Sequence, residues 1–241
     1  MKQLARTLPV VVLLLLGAFS AHAQNEWVKK ERYADGKRER AVGFAIGNRG
    51  YFTCGQDTAK AMRNDTWEFD PAANTWTQKA DYGGVARRNA VGFTVGNIAY
   101  VGTGMSNAES FLGVKLADFW AYDPTVNTWS QIASIPENGG QGIYFATAFS
   151  IDSHGYVCGG KRGPDNYSNN LWQYKPSQDA WVQRQDFPAG DRYAQASFVV
   201  NDRGYVGTGT DEDAYVNEMY AYDPGSDTWQ QIADFPGVAR N

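Results

Sequence analysis

The 241-residue chain has little of what most hydrolytic and metal sites are built from: it contains 2 histidines and 2 cysteines. His22 lies in a segment expected to be removed, which leaves His154 beside Gly155 in an expected tight turn. A Ser-His-Asp triad would have to converge on that turn, and a histidine-built metal site needs more than one such ligand. No metal and no cofactor is therefore expected. No stretch of the chain sustains a helical period. Basic charge is also scarce, with a formal net charge of −4, which argues against nucleic-acid partners.

Long apolar runs are absent apart from Leu8–Phe19, which follows Lys2 and Arg6 and precedes the small residues of Ala21-His22-Ala23. This pattern is that of a secretory signal peptide over 1–23, too short to be a spanning helix. No cysteine follows the cleavage position, so no lipid anchor is expected there. The mature chain is expected to start at Gln24, outside the cytoplasm (periplasmic or extracellular), without a transmembrane segment. Loss of the two positive charges of Lys2 and Arg6 takes the formal charge from −4 to −6.

Aromatic residues, in contrast, are plentiful and periodic. Trp27, Trp76, Trp129, Trp181 and Trp229 recur at intervals of 49, 53, 52 and 48 residues, each with an apolar residue six positions on: Tyr33, Tyr82, Ile135, Phe187 and Phe235. Trp67, Trp120, Trp172 and Tyr220 stand nine residues before the later four, and Phe69, Tyr122, Tyr174 and Tyr222 alternate with them. That alternation indicates strands with one buried face. Pro71, Pro124, Pro176 and Pro224 then open tight turns closed by Asn or Asp. Earlier in each repeat Phe44/Tyr51, Phe93/Tyr100, Phe149/Tyr156 and Phe198/Tyr205 stand seven apart around turn residues. Each repeat is thus four short antiparallel strands, a to d, and units of this kind near fifty residues stack into an all-β propeller.

Tyr100-Val101-Gly102-Thr103-Gly104, its near copies at 51–55, 156–160 and 205–209, and the aromatics nine apart resemble kelch repeats over roughly 33–241. The usual double glycine survives only as Gly159-Gly160. Four blades are expected, at about 36–82, 85–135, 140–187 and 190–235, with a further blade beginning over 236–241. Asn25–Tyr33 reads as a d strand with no earlier partners. The simplest reading is a truncated propeller of about six blades, as the resemblance implies; the alternative is a four-bladed arc, and a monomer is expected when complete. Kelch-type propellers include galactose oxidase, whose copper site uses two histidines and a tyrosine cross-linked to cysteine; this chain cannot supply that set.

Strand alternation puts the b–c and d–a connections on one face. The b-to-c aromatic spacing is 16, 20, 16 and 15, and the d-to-a spacing rises from 24 to 27 in the third repeat, whereas the other connections keep constant length. Variable loops on a fixed scaffold make that face the candidate binding surface. Arg38, Arg87 and Arg192 each precede the strand-b tyrosine by thirteen residues, and Arg240 takes the matching place; the third repeat has Ile143. A circlet of guanidiniums would suit anions, and in some kelch proteins this position lines the partner face. The competing reading pairs each arginine with an acid of a neighbouring blade, such as Asp65, Asp118 or Glu218. Cys54 and Cys158, one residue out of step in strand b of non-adjacent repeats, are expected as buried thiols, since a disulfide needs Cα atoms within about 7 Å. Asp211-Glu212-Asp213 lacks the ordered spacing of a calcium loop, and Lys161-Arg162-Gly163-Pro164 reads as a solvated turn. The tryptophans read as interblade core rather than sugar platforms. The function expected is non-catalytic binding of a protein or glycan. The alternatives are a periplasmic sugar-acid (sialic-acid) mutarotase, a reaction that the resemblance implies for some kelch propellers, and an envelope-associated structural module.

Overall fold

The computed structural model describes residues 27–106, 113–211 and 213–240. The expected signal peptide and Glu212 lie outside them. The chain divides into two compact units, 1–30 and 31–241. In the first, residues 27–30 have no regular structure and Trp27 is fully exposed. The d strand expected at Asn25–Tyr33 is therefore not formed over its described residues. A strand needs a partner's ladder to satisfy its backbone, and no described third strand lies beside this one.

Among the described residues the second unit carries four four-stranded antiparallel sheets, each a meander in the order a-b-c-d, beside two short two-stranded pairs. The first is Val42–Ile46, Arg49–Thr53, Thr66–Asp70 and Thr75–Lys79. The second is Val91–Val95, Ile98–Gly102, Phe119–Asp123 and Thr128–Ile132. The third is Thr147–Ile151, His154–Gly163, Asn166–Lys175 and Ala180–Arg184. The fourth is Ala196–Val200, Arg203–Gly207, Met219–Asp223 and Thr228–Ile232. The a strands of successive sheets adjoin, so they form the inner wall of a propeller.

The sequence pairs explain the packing. Phe44/Tyr51, Phe93/Tyr100, Phe149/Tyr156 and Phe198/Tyr205 stand directly opposite one another on strands a and b. Their rings stack at 5.1–5.2 Å. The next sheet closes over such a pair: Phe93 meets Tyr174 and Trp181. A Cβ on Gly155 would come within 1.9 Å of Phe93, so only glycine lets the third sheet approach that closely.

The d-strand tryptophans do more than fill the core. The indole N–H of Trp129 donates to the Ala80 carbonyl at 3.1 Å, and Asn127 Oδ1 accepts from the Ala80 N–H at 3.0 Å. Trp181 with Asp179 grips Ala133 in the same way, and Trp229 with Asp227 grips Gln185. Trp76 with Asn74 holds Glu31. Each sheet thus clasps both backbone groups of one residue, which for the later three sheets lies just beyond the preceding d strand. The gripping residues Asn74, Asn127, Asp179 and Asp227 all have φ between 44° and 56°, a left-handed turn conformation that Asn and Asp tolerate. The same turn explains why the sequence places them after proline.

Inner strands are joined by a second series. The Asn89, Phe145 and Ala194 N–H groups donate to the carbonyls of Arg40, Asn89 and Phe145. Gly55, Gly104, Gly160 and Gly209 donate to the carbonyls of Arg87, Ile143, Arg192 and Arg240. At the residue before each of these glycines the chain is also left-handed, with φ of 63° at Cys54, 60° at Thr103, 67° at Gly159 and 54° at Thr208. The backbone demanded by the double glycine is therefore kept in all four sheets, even where a side chain stands in it. Cys54 and Cys158 are buried free thiols, and burial pushes Cys54 up to about 12.

Candidate functional site

Three of the four recurring arginines are held by carboxylates. Arg87 is fully buried and bidentate to Asp118, at 2.9 and 2.7 Å. It also donates to the Thr103 carbonyl, and its guanidinium lies 4.8 Å from the Tyr82 ring. Arg38 makes the same bidentate pair with Asp65 beside Tyr33, and Arg192 pairs with Glu218 beside Phe187. These are the acids weighed in the sequence, but each belongs to the arginine's own sheet, not a neighbour's, because both residues sit where their strands leave the same edge. The aromatic under the guanidinium comes from the end of the preceding d strand. Arg240 lies 5.1 Å from Phe235 with its Nε on the Val238 carbonyl, and no ion pair of it occurs among the described residues.

Burial opposes ionisation of Asp118, but the hydrogen bonds and charge of Arg87, with the Trp120 indole N–H at 2.8 Å, hold its carboxyl below the usual range. Asp65 follows the same balance, with burial set against Arg38 and Trp67.

The third sheet replaces this arrangement wholesale. Ile143 and Ile135, both fully buried in one apolar cluster, stand where arginine and aromatic stand elsewhere. Asn170 takes the acid's position. The carboxylate comes instead from Glu137, fully buried in the short 3-10 turn Glu137–Gly140 of the longer d–a connection. Glu137 accepts from Trp172 Nε1 at 2.5 Å, Arg162 Nε at 2.6 Å, Ser168 Oγ and Asn170 Nδ2. Lys161-Arg162-Gly163 is therefore no solvated turn. It continues strand b into a ten-residue ladder, antiparallel to an equally long strand c. The charged composition concealed this because the acid that neutralises Arg162 lies 25 residues away.

This hairpin leans on the inner ring. Lys161 Nζ lies 4.9 Å from the Tyr167 ring and 4.5 Å from that of Tyr193, two rings stacked at 5.2 Å. Tyr193 meets Phe145, which meets Tyr144. Arg40 reaches from the first sheet to within 5.9 Å of the Phe145 ring, two sheets along. Among the described residues neither Lys161 nor Arg40 has an ion pair. Asn89 Nδ2 and both amide atoms of Gln195 are buried without a hydrogen-bond partner. Burial pushes the Tyr144 hydroxyl up, so it holds its proton at neutral pH. Nothing in the sequence periodicity singled these residues out, because this cluster exists once.

By comparison, most of the charges beside the first sheet are paired. A cavity of about 370 Å³ there is lined by Lys37, Glu39, Gln56, Asp57 and Lys60. Lys60 pairs with Glu39 at 2.9 Å and Arg63 with Asp57 at 2.6 Å. His154 begins strand b of the third sheet on the opposite face, where burial, Lys175 and Arg184 lower its pKa. Asp211 accepts from the N–H groups of Asp213 and Ala214, a turn rather than a cation loop; among the described residues no acid, histidine or cysteine cluster suited to a metal occurs. No helix among them is long and apolar enough to cross a membrane.

Four clasped meanders around an inner wall define a propeller built of kelch repeats. The chain belongs to the kelch-repeat family: residues 115–237 match the family described as the KLHDC2/KLHL20/DRC7 Kelch-repeats domain. It is similar in fold to a solved structure entitled "Structure of YjhT", with a TM-score of 0.70 and 17% sequence identity over 84% of this chain and 67% of that one. No curated protein matches it.

Proposed function

We propose that the protein is a secreted recognition module that binds a protein or glycan, without chemistry, through the face formed by the b–c and d–a connections. The observation that carries this reading is the cluster at the mouth of the inner ring: cations that form no ion pair among the described residues, half-buried aromatic rings, and buried amides without partners there. Such groups cost stability unless a ligand meets them. The paired arginines serve the same face by fixing its loops. In this reading residues 1–23 direct export.

The test is a binding screen against arrayed glycans and secreted proteins with two variants. Phe145→Asp should abolish the binding found, and Lys175→Asp, on the opposite face, should leave it intact. The reverse pattern would overturn the reading.

A further inference from the structure

The joints between successive sheets follow one template, and the two outer faces carry its unused halves. At each joint the earlier sheet supplies a stacked Phe/Tyr pair. The later sheet supplies a small strand-b residue and the aromatics of strands c and d that close over it. Phe93 lies against Gly155, Tyr174 and Trp181, and the pair of Phe149 and Tyr156 against Gly204 and Tyr222. Phe93 and Phe149 are 4% and 5% exposed; Phe198, which matches them on the fourth sheet and stacks on Tyr205, is 49% exposed. The first sheet carries the opposite half. A Cβ on Gly155 or Gly204 would strike a phenylalanine of the preceding sheet, but on Gly50 it would meet only the sheet's own Phe69, at 3.9 Å. Phe69, 4.8 Å from Trp76, is half-buried, whereas the matching Tyr122, Tyr174 and Tyr222 are buried.

The chain beyond the fourth sheet is laid out for the same template. Residues 233–240 match 80–87 at six of eight positions. The Phe235 N–H donates to the Asn217 carbonyl and the Gly209 N–H to that of Arg240, as Tyr82 does to Asn64 and Gly55 to Arg87. Yet Phe235 is 37% exposed where Tyr82 is 2%. Among the described residues Arg240 has no acid, and no indole clasps Ala233.

We propose that the fourth sheet of one copy docks on the first sheet of a second copy, and that two such head-to-tail joints close a pair of chains into a ring of eight sheets. A pair is the smallest ring that leaves neither face open, and eight sheets are within the range of propellers. Phe198 fills the notch over Gly50, beneath Phe69 and Trp76. Residues 31–38 of the receiving copy yield their place to 233–240 of the other, like for like. Phe235 replaces Tyr33 over Trp67, Arg240 replaces Arg38 on Asp65, and Ala233 replaces Glu31 under Trp76 and Asn74. Exchange of equivalent elements is a low-cost route to association. Because those contacts are traded evenly, burial of the Phe198 and Phe69 rings supplies the gain. The proposal is independent of any ligand on the loop face.

The test is light scattering on gel-filtered protein over a dilution series. The unaltered chain should run at twice its own mass. Phe198→Asp and Gly50→Leu should each weaken pairing at least a hundredfold. Val126→Asp, at an exposed apolar residue in a turn of the second sheet, should not. Thermal unfolding checks that each variant is folded. When Phe198→Asp and Gly50→Leu are mixed, a mixed pair should form through one sound joint, because each variant keeps the face that the other has lost. Two fourth sheets meeting face to face would instead be indifferent to Gly50→Leu. A single-chain mass at every concentration, an open series of higher masses, pairing that survives in folded Phe198→Asp or Gly50→Leu, or the absence of a mixed pair would each overturn the proposal.

Discussion

The second and third sheets solve one problem with different residues. Both must secure the loops at the b–c and d–a face and satisfy a tryptophan indole on strand c. The second uses Arg87 and Asp118 over Tyr82. The third uses Glu137 and Arg162, and fills the vacated site with Ile135 and Ile143. In the second sheet the cation comes from the d–a connection and the acid from the b–c loop; in the third those origins are reversed. The exchange anchors the b–c hairpin, and this is why only the third sheet extends strands b and c to ten residues.

Removing one member of the second sheet's pair should have the largest effect. Arg87→Ala leaves Asp118 without its cation, and should cost about 3–5 kcal/mol in urea unfolding. A loss below about 1 kcal/mol would mean that the pair is not what holds the loops. In the third sheet, Glu137→Gln keeps the shape but removes a charge that takes several donors, and should cost about 1.5–3 kcal/mol. Hydrogen exchange should then quicken in 154–163 and 166–175 and not in the second sheet. Equal protection in both would break the comparison.

Acid should separate the sheets more gently. Asp65 and Asp118 have folded-state pKa values below their unfolded ones, so their contribution is complete above about pH 4 and is lost as pH falls through the folded values. The urea midpoint should drop as the pH falls below about 4, and Asp118→Asn should flatten that slope. The smallest effect should come from the doublet. Thr208 is β-branched in a left-handed conformation that Gly159 adopts freely, so Thr208→Gly should stabilise by about 0.5–1 kcal/mol in thermal unfolding. A decrease would show that the buried threonine methyl outweighs the backbone strain.

The propeller was legible because its signals repeat: tryptophan intervals, facing Phe/Tyr pairs and Asp-Pro turns. Each is local, and four copies reinforce it. The partners of Arg38, Arg87 and Arg192 were legible as residues but were assigned to the wrong sheet, since linear spacing does not reveal which edge two loops share. The arrangement around Glu137 was hidden for a different reason. It joins residues up to 35 apart, occurs once, and replaces a repeated motif rather than extending one. The indole clasps were half legible. The tryptophans were read as apolar core, and their N–H groups turned out to carry the register between sheets.

Those clasps also have a direction. Trp129, Trp181 and Trp229, with their Asn or Asp companions, all reach back to a residue 42–49 positions earlier. A nascent chain leaves the ribosome N-terminus first, so every new sheet meets an attachment point that has already been synthesised. Growth of the wheel can follow translation sheet by sheet, without waiting for the C-terminus.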